Sequence, residues 1–242
     1  MSEPKSPSTS LSIVIPCLNE EEAIDAMMPR LQEVRENFLR DKIVDFFEVI
    51  VVDDGSQDDS VRKLLTYPWL HVIQHRVPQG YGATLKQGFR AAGGEWIGFF
   101  DLDFTYDPRD LKACFREVTS HKADIVYGTR LFWSQGMPLI RGFGNFVLSS
   151  IVRWVFGRGV SDIATGFRVF HRERLPEVLA LPEKHFDFGF SFTMWTLNRR
   201  WKIVQVPISY SRRRGRSKLH ALKDGLVFFR VLIQQKKSPR SR

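Results

Sequence analysis

Two carboxylates separated by one residue, Asp101 and Asp103, come directly after the apolar run 96–100. A short apolar run of this kind is typical of a buried strand, and open α/β sheets bind ligands at the carboxyl ends of their strands. Carboxylate oxygens suit Mg²⁺ or Mn²⁺, and such ions commonly hold the phosphates of a substrate. We therefore predict a metal-binding pair here, although a lone Asp-x-Asp is more often a solvated turn.

Polar side chains also follow two earlier apolar runs. Asp53 and Asp54 come after the run 47–52, and Asn19 and Glu20 come after the first run of the chain. Parallel strands that each deliver polar groups at their carboxyl ends indicate one polar site. Asn19 has a second interpretation as a helix N-cap, which its residue type alone favours.

Small residues open a predicted helix after the third strand, at Gly80, Gly82 and Ala83. Such residues let the backbone at a helix N-terminus come close to a bound ligand. The dinucleotide-binding fingerprint needs a third glycine at the position of Leu85, so the pattern disfavours a nicotinamide dehydrogenase.

The elements that must position these residues alternate between strand and helix up to about residue 128. Strands are predicted at 11–16, 46–52, 70–74, 95–100 and 124–127, with helices at 20–39, around 61–65, at 80–92 and at 108–119. Helices at 143–156, 190–200 and 219–235 follow, with an edge strand at 202–210 that contains Pro207. This order predicts an α/β fold with a mainly parallel central sheet and flanking helices.

The length of 242 residues is sufficient for one large domain. We expect a disordered lead-in at 1–10, a single α/β domain at 11–218, and a basic amphipathic helix with a tail at 219–242. Cys17 and Cys114 lack metal-ligand spacing, so a reducing cytoplasm is the expected compartment. No apolar run reaches the ~20 residues that a membrane span requires.

Positive charge is concentrated at the end of the chain. Residues 199–242 contain 14 Lys and Arg residues against the single acid Asp224, within a total net charge of +9. This asymmetry predicts an anionic partner at one edge, with nucleic acid, anionic lipid and a substrate phosphate all open on charge alone. Gly215 and Ser217 inside the basic run 212–218 indicate a shaped loop that surrounds an anion.

Taken in order, these motifs resemble the GT-A domain of family 2 glycosyltransferases. The matching residues are Pro16 with Asn19 and Glu20, then 51–56, Gly80 to Ala83 with Gly88, and 101–103. The continuation resembles the polyprenyl-phosphate hexosyltransferases, the dolichol-phosphate mannose synthase group. It consists of Gly128-Thr129-Arg130, Arg141 with Asn145, Asp162 with 165–168, and Arg212 with Gly215, Ser217 and Lys218. The resemblance covers roughly residues 11–235.

The resemblance implies an inverting transfer of a hexose from a nucleotide-diphosphate sugar, of the GDP-mannose or UDP-glucose type, to polyprenyl or dolichyl phosphate. The nucleotide-sugar site would contain Pro16, Asn19, Glu20, Asp53, Asp54, Gly82, Ala83 and Asp101. Asp101 and Asp103 would hold Mg²⁺ or Mn²⁺ on the diphosphate. The acceptor phosphate would be bound by Arg130, Arg141, Asn145, Arg212, Ser217 and Lys218. The catalytic set would be the acid pair together with Arg130, Arg141, Arg212 and Lys218.

Three positions depart from the pattern of the resembled family. Leu18 stands where relatives commonly have Tyr, which puts a stacking contact with the base in doubt. Thr105 replaces a Gln on the metal side, which puts the metal preference in doubt. Tyr81 replaces a Lys between the two glycines, which makes a change of nucleotide or sugar an open question.

The last predicted helix has an apolar stripe surrounded by basic residues. The stripe consists of Leu219, Leu222, Leu226, Phe229, Leu232 and Ile233. This pattern is typical of a helix that lies in the headgroup region of an anionic membrane, and packing on the sheet is the alternative. We expect a peripheral enzyme on the cytoplasmic face of a membrane, with room for docking on a separate membrane-spanning subunit.

Two other functions fit parts of the sequence. A family 2 transferase with a saccharide or protein acceptor would need a carboxylate base, for which Asp162 and Asp187 are the candidates. A nucleic-acid-binding protein would explain the basic end of the chain. It would leave both acid clusters unused, however, and the run 212–218 lacks interleaved aromatic residues.

Overall fold

The computed structural model describes residues 9–130, 139–211, 213 and 221–237. The strands are β1 Ser10–Cys17, β2 Phe46–Asp53, β3 Leu70–Gln74, β4 Trp96–Phe99, β5 Ile125–Arg130, β6 Arg168–His171 and β7 Ile203–Ile208. The α-helices are α1 Glu21–Arg40, α2 Ser60–Leu64, α3 Tyr81–Ala91, α4 Leu111–Ser120, α5 Leu139–Phe156, α6 Leu175–Leu179, α7 Asp187–Asn198 and α8 Ala221–Lys237. Short 3₁₀ helices cover Pro108–Asp110 and Arg172–Arg174.

One sheet of 7 strands has the order β3-β2-β1-β4-β6-β5-β7. Strand β6 is antiparallel to both of its neighbours, β4 and β5, whereas the other pairings are parallel. The carboxyl ends of β1, β2, β4 and β5 therefore lie at the same edge of the sheet. The predicted α/β class with a mainly parallel sheet is confirmed.

Apolar side chains cover both faces of the sheet, as the apolar composition of its central strands requires. On one face, Ile24, Met28 and Leu31 of α1 are buried at helical spacing, together with residues of α4. On the other face, Phe89 of α3 and Phe192 of α7 form part of a second buried cluster. The two layers hold the strand ends in fixed positions around the candidate site.

The sequence patterns did not predict strand β6. It is 4 residues long and begins at Arg168, which is buried despite its charge. The guanidinium of Arg168 donates to the carbonyls of Thr165 and Gly189 and lies 4.7 Å from the ring centroid of Tyr127. The predicted edge strand is confirmed, because β7 ends the sheet and contains Pro207.

Helices α5 and α8 contact each other, and both leave large apolar side chains exposed. These side chains, called here the α5–α8 apolar residues, are Ile140, Phe143, Phe146, Val147, Trp154, Leu226, Phe229 and Ile233. Helix α8 also packs against α7 through its buried residues Phe228, Val231 and Leu232. In the described part of the chain, every helix falls short of the length and apolar character that a membrane crossing needs.

Candidate functional site

The loop after β1 is joined to the loop after β2 by Asn19. Its backbone N–H donates to Ser56 Oγ at 2.8 Å, and its Oδ1 accepts from the backbone N–H of Gln57 at 2.8 Å. Asn19 has a φ of 50°, a conformation that asparagine tolerates better than most residues. The N-cap prediction is wrong, because α1 begins after Glu20 and has no side-chain cap bond.

Asp53 presents an unpartnered oxygen at the end of β2. Its Oδ2 accepts from the backbone N–H groups of Gly55 and Ser56, each at 3.1 Å. Its Oδ1 is buried without a hydrogen-bond partner in the described part of the protein. Buried polar atoms are normally paired, so this oxygen is available to a donor group of a ligand. Pro16, half-buried and opposite Val52 in the β1–β2 register, is close to this strand end.

Asp54 points instead toward the beginning of α3. It accepts hydrogen bonds from the backbone N–H groups of Gln79 at 2.8 Å and Gly80 at 2.9 Å, and His75 Nδ1 lies at 2.7 Å. Burial alone would raise the pKa of Asp54, but these hydrogen bonds together lower it below its ordinary value. The charged carboxylate thus fixes the loop that leads into α3.

The small residues at the beginning of α3 pack against the first turn of α7 and the segment that precedes it. A Cβ on Gly82 would lie 2.6 Å from Phe188 Cβ, and the Ala83 N–H donates to the Lys184 carbonyl at 3.0 Å. Tyr81, between these glycines, reaches the predicted metal pair, because its hydroxyl donates to Asp101 Oδ1 at 2.9 Å. Its ring stacks on Phe186 at 5.1 Å.

The acid pair lies after β4, as predicted. Asp103 is buried, and its Oδ1 accepts from both the N–H and the hydroxyl of Thr105. Phe104, between them, has a φ of 68°, an uncommon conformation for a bulky residue. Burial, followed by the charge of Asp103, raises the pKa of Asp101 from 3.8 to about 6. The folded chain therefore disfavours two uncompensated negative charges at this position.

Gly166 lies directly against Asp101. A Cβ at this position would be 2.7 Å from Asp101 Oδ2, so a side chain would displace the carboxylate. The Gly166 N–H donates to the buried Tyr106 hydroxyl at 2.7 Å. The loop before β6 therefore sets the space around the acid pair, a role that the Thr165-Gly166-Phe167 motif alone did not specify.

Arg213 joins two of the predicted ligand-binding acids. Its Nη2 donates to Glu20 Oε1 at 2.8 Å, and its Nη1 lies 3.0 Å from Asp103 Oδ2. The family resemblance implies roles for Arg212 and Lys218 of the same run and does not indicate Arg213. Arg213 has an arginine on either side in the sequence, and no sequence signal distinguishes it from these neighbours.

Arg130, at the end of β5, is paired with Asp162. Its Nε donates to Oδ2 at 2.7 Å and its Nη2 to Oδ1 at 2.8 Å, while the Asp162 side chain is fully buried. Burial would lower the pKa of Arg130, but the charges of Tyr106 and Asp162 raise it well above the ordinary value. Asp162 is thus held in an ion pair with Arg130.

Of the other predicted acceptor residues, Asn145 contacts the same loop. Its Oδ1 accepts from the Ala164 N–H at 3.2 Å, which holds α5 beside the Arg130–Asp162 pair. Arg212, Ser217 and Lys218 lie outside the described residues, as does the side chain of Arg141.

The donor set of the acid pair fits a divalent cation. Within the described residues Asp101 Oδ2 accepts no hydrogen bond, and Asp103 Oδ2 is contacted by Arg213 alone. No group of three or more His, Cys, Asp or Glu side chains forms a ready metal cluster in those residues. Two carboxylates suit Mg²⁺ or Mn²⁺, which usually take their remaining ligands from water and substrate phosphates. Cys17 is no alternative nucleophile, because burial and then Asp53 raise the pKa of its thiol to about 12.

The fold and site define an α/β transferase domain of the GT-A type, with its polar residues at the carboxyl edge of the sheet. The chain belongs to glycosyltransferase family 2, since residues 12–179 match the family described as "Glycosyl transferase family 2". It is a glycosyltransferase by family.

Curated relatives from Haloferax volcanii are similar over most of the chain. The low-salt glycan biosynthesis hexosyltransferase Agl6 is 28% identical over 228 residues, which are 93% of this chain and 53% of that protein. The chain therefore spans about half the length of that relative. A dolichyl-phosphate hexose transferase is 27% identical over 227 residues, covering 93% of this chain and 92% of the relative.

A solved structure of glucosyl-3-phosphoglycerate synthase from Mycobacterium tuberculosis has the same fold. That structure, in complex with Mn²⁺, UDP and glucosyl-3-phosphoglycerate, superposes with a TM-score of 0.71 at 21% identity. The match covers 100% of this chain and 88% of that one. At this identity the likeness is evidence for the fold only.

Proposed function

We propose that the chain transfers a hexose from a nucleotide-diphosphate sugar to the phosphate of a polyprenol. The observation that carries this proposal is the contact of Arg213 with Asp103 and Glu20, which places part of the basic run at the acid pair. Carboxylates that can bind a cation and an arginine that can bind an anion then lie at the same edge of the sheet. The match to a dolichyl-phosphate hexose transferase over nine-tenths of both chains supports the same acceptor.

In this proposal the donor lies across the ends of β1, β2 and β4. The unpaired Asp53 Oδ1 accepts a hydrogen bond from the nucleoside. Asp101 and Asp103 hold a Mg²⁺ or Mn²⁺ ion, which neutralises charge on the leaving diphosphate when bound. Tyr81 orients Asp101 through its hydrogen bond to Oδ1.

The acceptor chemistry needs no strong general base. A lipid phosphate is already an anion near neutral pH, so its oxygen can attack the anomeric carbon once the two reactants are aligned. The requirement is positive charge that offsets the repulsion between two anions, and a guanidinium can pair two phosphate oxygens at once. The ion pair of Asp162 with Arg130 disfavours the rival acceptor with a hydroxyl group, for which Asp187 is the remaining candidate base.

We also propose that the protein binds the surface of the membrane that contains the acceptor. The α5–α8 apolar residues are exposed beside the basic side chains of Arg153, Arg230 and Lys236. Helix α5 is joined through Asn145 to the loop that carries Asp162, so this surface adjoins the proposed acceptor region. An apolar surface with basic neighbours gains both burial and attraction at an anionic membrane.

A donor-by-acceptor panel tests the reaction. Labelled GDP-mannose, UDP-glucose and UDP-GlcNAc are each incubated with a short polyprenyl phosphate, with phosphoglyceric acid or with an oligosaccharide, in Mn²⁺, in Mg²⁺ or in chelator. We expect one donor to give an acid-labile polyprenyl product only when metal is present, and Asp103→Asn to give none. Transfer to phosphoglyceric acid or to the oligosaccharide, with no lipid product, would contradict the proposed acceptor.

A further inference from the structure

The side chain of Arg213 lies between two carboxylates that come from different strands. Glu20 follows β1 and Asp103 follows β4, which is the neighbouring strand in the sheet. One guanidinium nitrogen contacts each acid, at 2.8 Å and 3.0 Å, and the arginine side chain is only 21% exposed. Arg213 therefore bridges an acid proposed for the nucleotide-sugar site and an acid proposed for the metal.

The backbone before Arg213 is attached to the loop that carries Asp103. The Ser211 N–H donates to the Thr105 carbonyl at 3.0 Å, and Tyr210 forms an antiparallel bridge with Tyr106. The guanidinium can therefore leave Asp103 by rotation about its own side-chain bonds, without movement of this backbone. Arginine is suited to such exchange because its charge persists in both positions.

We propose that Arg213 occupies the cation position of the acid pair in the free protein, and that a divalent ion must displace its guanidinium from Asp103. The inference rests on the proposed function, because it takes Asp101 and Asp103 as the metal ligands. Thr105 already holds Asp103 Oδ1, which leaves Oδ2 for the incoming ion. Arg213 contacts that same oxygen, so the two positive charges compete for it.

This competition links metal binding to the positioning of an anion. When the ion takes Asp103, Arg213 is released next to the place where the donor phosphates lie. Its guanidinium is then free to pair with a phosphate group. The contact of Arg213 with Asp103 and the binding of the ion to Asp103 oppose each other, and this coupling is reciprocal. The contact therefore lowers the affinity of the free protein for the metal ion.

Calorimetric titration of the full chain with MnCl₂, without any nucleotide, tests this inference independently of turnover. The variants are Arg213→Gln, which removes the charge, Arg213→Lys, which keeps a charge without the fork, and Asp103→Asn. Arg116→Gln is the matched control, because it removes the same charge from α4 at a side chain that is 75% exposed. Thermal unfolding of each variant checks that it is folded.

We expect Arg213→Gln to bind Mn²⁺ about tenfold more tightly than the wild type, a change of about 1.4 kcal/mol. Arg213→Lys should bind with intermediate affinity, and Arg116→Gln should match the wild type. Equal or weaker Mn²⁺ binding by Arg213→Gln, with loss of binding in Asp103→Asn, would overturn the role of Arg213 and leave the metal assignment intact. Mn²⁺ binding that does not depend on Asp103 would overturn both.

Discussion

Asp101 carries a charge that the folded protein disfavours. Burial and the neighbouring Asp103 raise its pKa from 3.8 to about 6, which corresponds to on the order of 3 kcal/mol between its two protonation states. The stability that the protonated carboxyl contributes is complete below pH 3.8 and is lost as the pH rises through about 6. At neutral pH the free protein therefore keeps a destabilising charge at the site where a cation is proposed.

Asp101→Asn should stabilise the metal-free protein, because it keeps a neutral group at this position at every pH. Thermal unfolding in chelator should give a higher Tm for the variant, by several degrees at pH 8 and by about half as much at pH 5. The same variant should give no sugar transfer. A Tm difference that stays constant between these pH values would show that the ionisation of Asp101 is not its cause.

Tyr81→Phe should weaken metal binding while it preserves the stacking of the ring on Phe186. The variant loses the hydroxyl that donates to Asp101 Oδ1, which both orients the carboxylate and opposes the rise in its pKa. One hydrogen bond of about 1 kcal/mol corresponds to about fivefold weaker Mn²⁺ binding. Titration at neutral pH measures the change, with Tyr67→Phe as a control remote from the acids. Unchanged affinity would mean that Tyr81 does not position Asp101.

The loop before β6 is as important to the site as β4, the strand that precedes the two acids. Gly166→Ala would place a Cβ 2.7 Å from Asp101 Oδ2 and should reduce kcat/KM for transfer at least about tenfold. Gly144→Ala is the matched control, because a Cβ there meets nothing within 4 Å on α5. Alanine should stabilise that helix by about 0.5 to 1 kcal/mol without a loss of activity. Equal activity of the two variants would contradict the close packing of Gly166 on Asp101.

The strands with long apolar runs could be predicted from sequence, and so could the edge of the sheet at which the acids meet. Strand β6 could not, because its first residue is an arginine, and charged residues are ordinarily read as surface positions. Arg168 is buried only because carbonyls and aromatic rings from β5 and α7 surround it, and those partners come together only in the fold. A local sequence pattern does not identify partners that are distant in the sequence.

The sequence also could not predict which individual residues contact each other at the site. The residue type of Asn19 alone favours a helix cap, but its left-handed backbone conformation directs its side chain to the neighbouring loop. Arg213 stands in a run of three arginines, and its contact with Asp103 depends on the course of the backbone after the Tyr106–Tyr210 bridge. The division into a lead-in, a domain and a C-terminal helix remains a prediction.

The C-terminal part of the chain contains both the excess of basic residues and some of the exposed apolar side chains. The C-terminal part of the chain supplies Arg213 to the acid pair and α8 to the surface beside α5. Helix α8 has two sides with different environments, because Phe228 is fully buried against α7 while Leu226 is 75% exposed. The sequence allows two interpretations of this helix, packing on the fold and contact with a membrane. Both can hold for α8, because one side is buried and the other is exposed.

Removal of exposed apolar side chains from α8 should therefore weaken membrane binding strongly without unfolding the protein. Leu226→Ser combined with Phe229→Ser leaves the buried contacts with α7 in place and removes two side chains, each worth about 1.5 to 3 kcal/mol on burial. Sedimentation with phosphatidylglycerol–phosphatidylcholine vesicles should show at least about tenfold weaker binding and an unchanged Tm. Leu65→Ser is the control and should bind like the wild type. Leu65 lies in the N-terminal half of the sequence, and its side chain is 62% exposed. If the double variant and the control bind vesicles equally, α8 does not contact the lipid, and the acceptor must reach the arginines by another surface.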